Sequence, residues 1–83
     1  MSKIHYNNID EVLRRKAIGR STLYQEIKQG LFPKPVKIGK RKIAWPQHEV
    51  DQMMLLYMRA TSLNEVKKHV LDLVNDRSKL GEK

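Results

Sequence analysis

The sequence contains no cysteine. Disulfides and thiolate zinc sites are excluded, and nothing suggests a secreted, cross-linked scaffold. His5, His48 and His69 are widely spaced and form no i,i+4 pair. A histidine metal site is therefore not expected, and no cofactor is expected either. The longest apolar run, Met53 to Met58, is far short of the roughly twenty residues that span a bilayer. Asn7, Asn8, Asp10 and Glu11 stand where a signal peptide would need an apolar core. The expectation is a soluble, cytoplasmic protein. Carboxylate pairs, a Ser/His/Asp set and a phosphate-cradling glycine-rich loop are also missing, and a chain of 83 residues has little room for a pocket. No enzyme is expected.

Acid is missing from one stretch in particular. Residues 14–42 hold ten Lys/Arg against one acid, Glu26, a local charge of +9. The whole chain is +8, so everything else sums to −1. A basic balance points to nucleic acid, an anionic membrane or an acidic protein. A membrane-surface helix would carry its cations on one long amphipathic helix. Here they span a short helix and a hairpin, which favours nucleic acid.

Eighty-three residues with 40% hydrophobic content allow one small core. A first helix is expected from Asn8, an N-cap with Glu11 placed to reach back. Ile9, Val12 and Leu13 form its apolar face. Arg14, Arg15 and Lys16 fall in its last turn, favourable at the negative end of the helix dipole. Residues 17–20 form a tight turn containing Gly19, as helix-turn-helix units often do. Ser21 is the expected N-cap of a second helix that runs to about Gln29 and stops at Gly30. Leu23 and Ile27 share its buried face. Ser21, Gln25, Lys28 and Gln29 lie opposite, with Thr22 beside them, as a recognition helix requires.

Pro33 and Pro35 exclude helix around them. Val36-Lys37-Ile38 and Ile43-Ala44-Trp45 alternate as short strands joined by Gly39-Lys40-Arg41-Lys42. Val36, Ile38, Ile43 and Trp45 are expected to face inward. Pro46 suits the first turn of a third helix reaching about Arg59, with Val50, Met53, Met54 and Tyr57 at helical spacing. Ser62 and Glu65 carry a capping-box signature for a fourth helix over about 63–76, and the tail from Ser78 is expected to fray. Leu63, Val66, Val70, Leu73 and Leu80 follow a heptad-like spacing, with Arg77 in the gap. That stripe either folds back onto the third helix or serves dimerisation or docking to another protein.

Arg20-Ser21-Thr22-Leu23-Tyr24, the run from Gly30 to Gly39 (GLFPKPVKIG), Arg41, Trp45 and Glu49-Val50 together resemble the AlpA-type family of phage and prophage DNA-binding regulators. The match spans about Ile9 to Arg59. The resemblance implies a mostly α fold with a small β-hairpin wing, a MerR-like winged helix-turn-helix, here with an extra C-terminal helix. Residues 1–60 would form the DNA-binding domain and 61–83 a helical extension. Family members and close relatives include transcriptional regulators and excisionases, small proteins that direct an integrase toward excision, so the resemblance implies an integrase or a polymerase as the docking partner if the C-terminal stripe serves docking. The chain departs from the pattern at Pro46, in the Met-Met-Leu-Leu-Tyr-Met end of the third helix, and in its extension past Arg59.

The implied partner is double-stranded DNA, and the implied place is the nucleoid. Thr22 and Gln25 are candidates for base edges, since Gln pairs bidentately with adenine; a solvated polar face is the plainer alternative. Ser21, Lys28 and Gln29 share that face. Tyr24 either directs its hydroxyl at a phosphate or only packs. Lys40, Arg41 and Lys42 at the hairpin tip, with Lys37 behind them, are candidates for the minor groove or backbone. Arg14, Arg15 and Arg20 are candidates for phosphate. Trp45 fits the core better than a stacking platform for a base.

Overall fold

Asn8 starts the first helix as its side chain predicts. In the computed structural model, which describes residues 5–81, Asn8 Oδ1 accepts the Glu11 amide at 2.8 Å and Glu11 Oε1 accepts the Asn8 amide at 2.7 Å. Two otherwise unpaired amides are thus satisfied reciprocally. The described residues form β1 (Tyr6–Asn7), α1 (Ile9–Lys16), α2 (Arg20–Lys28), β2 (Val36–Lys37), β3 (Ile43–Pro46), α3 (Gln47–Arg59) and α4 (Leu63–Gly81). The expected class is confirmed: mostly helical, with a small antiparallel sheet.

The turn between α1 and α2 differs in detail from its sequence reading. Ala17, not Gly19, takes the left-handed conformation, at φ 58°. Its amide and that of Ile18 return to carbonyls of the last turn of α1, which offsets the roughly 1 kcal/mol cost of a left-handed L-residue. Gly19 is extended and caps α2, and its carbonyl accepts the Leu23 amide at 3.1 Å. Ser21 therefore lies inside α2 and is not its cap. Three residues connect the helices, and the extended Gly19 ends the turn, so α2 starts at Arg20, ahead of Ser21. Gly30 does stop α2, at φ 80°.

β3 is the middle strand of an order β1-β3-β2. Val36 pairs with Ala44 and Lys37 with Ile43, while Asn7 pairs with Trp45 and Tyr6 with Pro46. β1 had no signal in the sequence: it is two polar-flanked residues recruited by the free edge of β3. Trp45 is fully buried, as expected, but so is its neighbour Ala44. Adjacent strand residues point to opposite faces, so both faces of β3 are covered. Val36 and Ile43 are half-buried. Ile38, expected inward, is 46% exposed, because β2 ends before it. Pro46 ends the strand and occupies the N-cap position of α3, one residue earlier than its expected place in the first turn.

The core gathers Val12, Leu23, Phe32, Trp45, Val50, Met53, Leu56, Val66 and Val70. Trp45 Nε1 donates to the Pro33 carbonyl at 2.7 Å, and its ring meets Phe32 at 6.1 Å between centroids. The buried stripe of α3 is Val50, Met53 and Leu56, with Met54 half-buried and Tyr57 at its edge, 41% exposed. The stripe is rotated from the expected Val50/Met53/Met54/Tyr57 because α4 covers one side of α3. α4 runs to Gly81, well past the expected end near Asp76; no Gly or Pro intervenes to break it. Ser62 Oγ accepts the Glu65 amide, and the Glu65 carboxylate takes both the amide and the hydroxyl of Thr61. Leu63 is exposed, outside the stripe it was assigned to. The Leu80 side chain lies outside the described residues.

Two polar contacts fasten these helices. Arg77 Nε and Nη2 donate to the two carboxylate oxygens of Glu49 at 2.8 and 2.6 Å, and Nη2 also donates to the Lys34 carbonyl at 2.6 Å. Glu49 is completely buried. Separately, the Lys16 ammonium lies 2.7 Å from Glu26 of α2, 4.7 Å from the centre of the Phe32 ring and 4.4 Å from that of Tyr57. It also hydrogen-bonds the Tyr57 hydroxyl. Its side chain is only 5% exposed. Lys16 is a joint between α1, α2 and α3.

Arg77→Ala strands a buried carboxylate. It is expected to lose about 3–5 kcal/mol by urea denaturation, whereas Glu49→Met with Arg77→Met recovers much of that loss. A single mutant within about 1 kcal/mol of wild type shows the pair to be dispensable.

Tyr57 supplies a pH test. Burial raises its phenol above the usual 10.0, and the Lys16 contact partly counters this. A raised folded-state pKa means that the unfolded chain ionises first. The stability it contributes is complete below pH 10 and is lost as pH rises through the folded value. Wild type is expected to lose stability faster than Tyr57→Phe above about pH 10, measured as paired denaturation curves. Parallel curves contradict this role.

Candidate nucleic-acid interface

The ten cations of residues 14–42 divide into two groups once the chain is folded. Lys16 is buried with Glu26. Arg15 turns toward α3, with Nη2 2.6 Å from Asp51 and Nη1 donating to Asn7 at 3.0 Å. Arg20 meets Asp10 at 3.3 Å, with both side chains mostly in solvent. Arg14, Lys28, Lys34, Lys37, Lys40, Arg41 and Lys42 make no ion pair among the described residues and are exposed. Proximity in sequence therefore overstated the cluster: Arg15 and Lys16 are engaged with acids elsewhere in the fold.

α2 presents Ser21, Thr22, Tyr24, Gln25, Lys28 and Gln29 to solvent while Leu23 is buried beneath. This is the division that the i,i+4 spacing of Leu23 and Ile27 dictates. The hairpin stands beside α2, held by the Trp45–Pro33 hydrogen bond and the Phe32 ring packed on Trp45. Its tip carries Lys40, Arg41 and Lys42, and Ile38 N donates to the Lys42 carbonyl at 3.0 Å to close the loop.

Between α2 and the hairpin lies an open groove of about 540 Å³. Arg20 and Tyr24 form one wall, and Ile38, Arg41, Lys42 and Ile43 the other. Asn8 and Ile9 close its end at the start of α1. Four residues read from the sequence as DNA candidates, Arg20, Tyr24, Arg41 and Lys42, thus line one concavity. Thr22, Gln25, Lys28 and Gln29 remain on the exposed part of α2, and Lys37 and Lys40 on the exposed part of the hairpin. Arg14 projects from the last turn of α1.

Asn8, Ile9, Ile38 and Ile43 also line the groove and are not among the expected contact residues. No sequence signal marks them: Ile38 alternates correctly for a buried strand position, and Ile9 for a buried helix position. The groove holds no acid, and the nearest carboxylate in an ion pair with it is Asp10, an exposed contact of little energetic worth. Among the described residues no group of three His, Asp or Glu is placed to hold a metal ion. None of the described helices is long and apolar enough to cross a membrane.

Comparison with known proteins bears on this arrangement. Residues 8–55 match the family described as prophage CP4-57 regulatory protein (AlpA). The chain is 37% identical over 46 residues to the uncharacterized protein ORF88 of Enterobacteria phage P4, covering 55% of this chain and 52% of that one. The chain thus spans about half the length of that relative. No solved structure matches. The matched segment begins at the N-cap of α1 and ends within α3, and so contains both helices, the hairpin and the groove between them. The chain belongs to the AlpA family of prophage regulatory proteins.

Proposed function

We propose that the protein is a sequence-specific double-stranded DNA-binding regulator of phage or prophage genes, acting in the host cytoplasm at the nucleoid. α2 enters the major groove, and the hairpin reaches the neighbouring minor groove or backbone. The observation that carries this reading is the pairing of a polar, exposed α2 face with a cationic hairpin tip across one acid-free groove. Membership of a phage regulatory family supports it. Gln25 and Thr22 read base edges, with Ser21 and Gln29 beside them. Arg14, Arg20, Lys28, Lys37, Lys40, Arg41 and Lys42 supply phosphate attraction and orientation. Tyr24 directs its hydroxyl from the groove wall. Arg15, already paired with Asp51, contributes only through the general field.

We also propose that α4 seals its own domain, since Val66, Val70 and Arg77 are all committed to the shared core. Self-association on adjacent sites is left to the exposed Leu55, Met58 and Leu63 around the α3–α4 connection. An excisionase would use the same DNA surface. Bending of attachment-site DNA in a gel-mobility assay separates that role from simple operator binding.

Binding to duplex DNA is expected to be strongly salt-dependent. With about six phosphates contacted, log K falls against log salt with a slope of about −5. Titration by fluorescence anisotropy at several salt concentrations checks it, and a flat response removes the electrostatic basis of the reading.

Helix and hairpin are expected to differ in kind. Gln25→Ala relaxes sequence preference, losing about 1–3 kcal/mol of discrimination with little change on random DNA. Arg41→Ala weakens specific and random duplexes together. Equal behaviour of the two variants in competition assays contradicts this division.

A further inference from the structure

A helix in a major groove and a hairpin in the adjacent minor groove lie on opposite sides of one DNA strand. That strand's backbone must pass over the space between them. In this chain that space is the groove between α2 and the hairpin. Its lining sets the cations Arg20, Arg41 and Lys42 beside Tyr24, Ile38 and Ile9. Tyr24 and Ile38 are 47% and 46% exposed. The groove therefore sets apolar side chains and three cations side by side in one concavity. It matches a ligand that is apolar on one side and anionic on the other. A deoxyribose-phosphate unit has that character: its ring C–H groups are apolar and its phosphate is charged. A base does not fit this place, since in a duplex its faces are stacked and its edges lie inside the grooves.

We propose that this groove seats one deoxyribose-phosphate unit of the strand between the two DNA grooves, and that its apolar surface selects deoxyribose over ribose. The proposal rests on the DNA-binding reading above. Arg20 exchanges its exposed contact with Asp10 for the phosphate, which attracts the guanidinium and repels the carboxylate. Arg41 and Lys42 close on the phosphate from the hairpin. The sugar packs on Ile38 and on the flank of the Tyr24 ring. A 2′-hydroxyl pressed against those side chains loses its water and finds no partner there. A burial penalty of that kind corresponds to about tenfold in affinity. The groove would thus reject RNA and DNA–RNA hybrids by the sugar itself, without reading a base.

The test uses the full chain and a duplex recovered by selection from a random DNA pool. One phosphate at a time is replaced by an uncharged methylphosphonate, and in a second series one nucleotide at a time by its ribonucleotide. One strand is expected to show a single position, or two neighbouring ones, where wild type loses about tenfold in both series. Arg41→Ala is expected to lose its sensitivity to methylphosphonate at that position. Ile38→Ser is expected to lose its sensitivity to ribose there while keeping its sensitivity to methylphosphonate. Both substitutions are at exposed positions, and circular dichroism verifies their folding. If the duplex binds with the expected salt dependence but neither variant changes the response at any position, the seat is wrong and the DNA reading stands. If ribose is penalised equally in wild type and Ile38→Ser, the sugar selection is wrong. If no duplex is recovered, the DNA reading and the seat fall together.

Discussion

The junction of Trp45 with Pro33 and Phe32 governs the rest of this structure. A fully buried indole N–H costs free energy unless it finds an acceptor. Here the acceptor is the carbonyl of Pro33, in a segment whose prolines already prevent regular structure. The same ring packs on Phe32 and sits on the central strand. One side chain therefore ties the end of α2 to β3 and sets the distance between helix and hairpin. That distance defines the groove. If the two elements moved independently, the cations on each would not act on one ligand.

Charge in this protein has two uses that the linear sequence blends together. Lys16 and Arg77 are internal fasteners, one joining α1, α2 and α3, the other joining α4 to α3 and to the proline turn. Each is held by a carboxylate and by further polar or aromatic contacts, as a desolvated cation requires. Lys28 and the cations of the hairpin have no such partners among the described residues, and Arg20 has only its exposed contact with Asp10, so their field stays available to a ligand. The division follows from burial rather than from residue type.

Residue 77 also explains why an extension lying outside the family match belongs to the packing of the rest. Val66 and Val70 supply apolar cover for α3, whose Met53–Met58 run is too apolar for a single buried stripe. Arg77 then reaches the buried Glu49 and the Lys34 carbonyl, at the far end of the same α4 face. An arginine in an apolar spacing looks like an interruption when read along the chain. In three dimensions it is the partner of the buried Glu49 at the start of α3.

Much of this protein was legible in its sequence. The Asn8–Glu11 capping box, the Gly30 stop, the proline turn and the Leu23/Ile27 stripe are local signals, and each acts through neighbours within a few residues. They set the order of elements and the polar face of α2, and the excess of Lys/Arg set the sign of the field. Other features were decided only by tertiary structure. Ala17 turned left-handed and Gly19 took the cap of α2, which left Ser21 inside the helix. β1 formed only because β3 offered an edge. Ile38 was left in the groove because its strand ended one residue earlier; Lys16 left the cationic surface and Arg15 was paired on it because Glu26 and Asp51 came within reach. Local sequence determines which conformations are cheap. Which side chains meet depends on distances across the fold, and those exist only once the core has closed around Trp45.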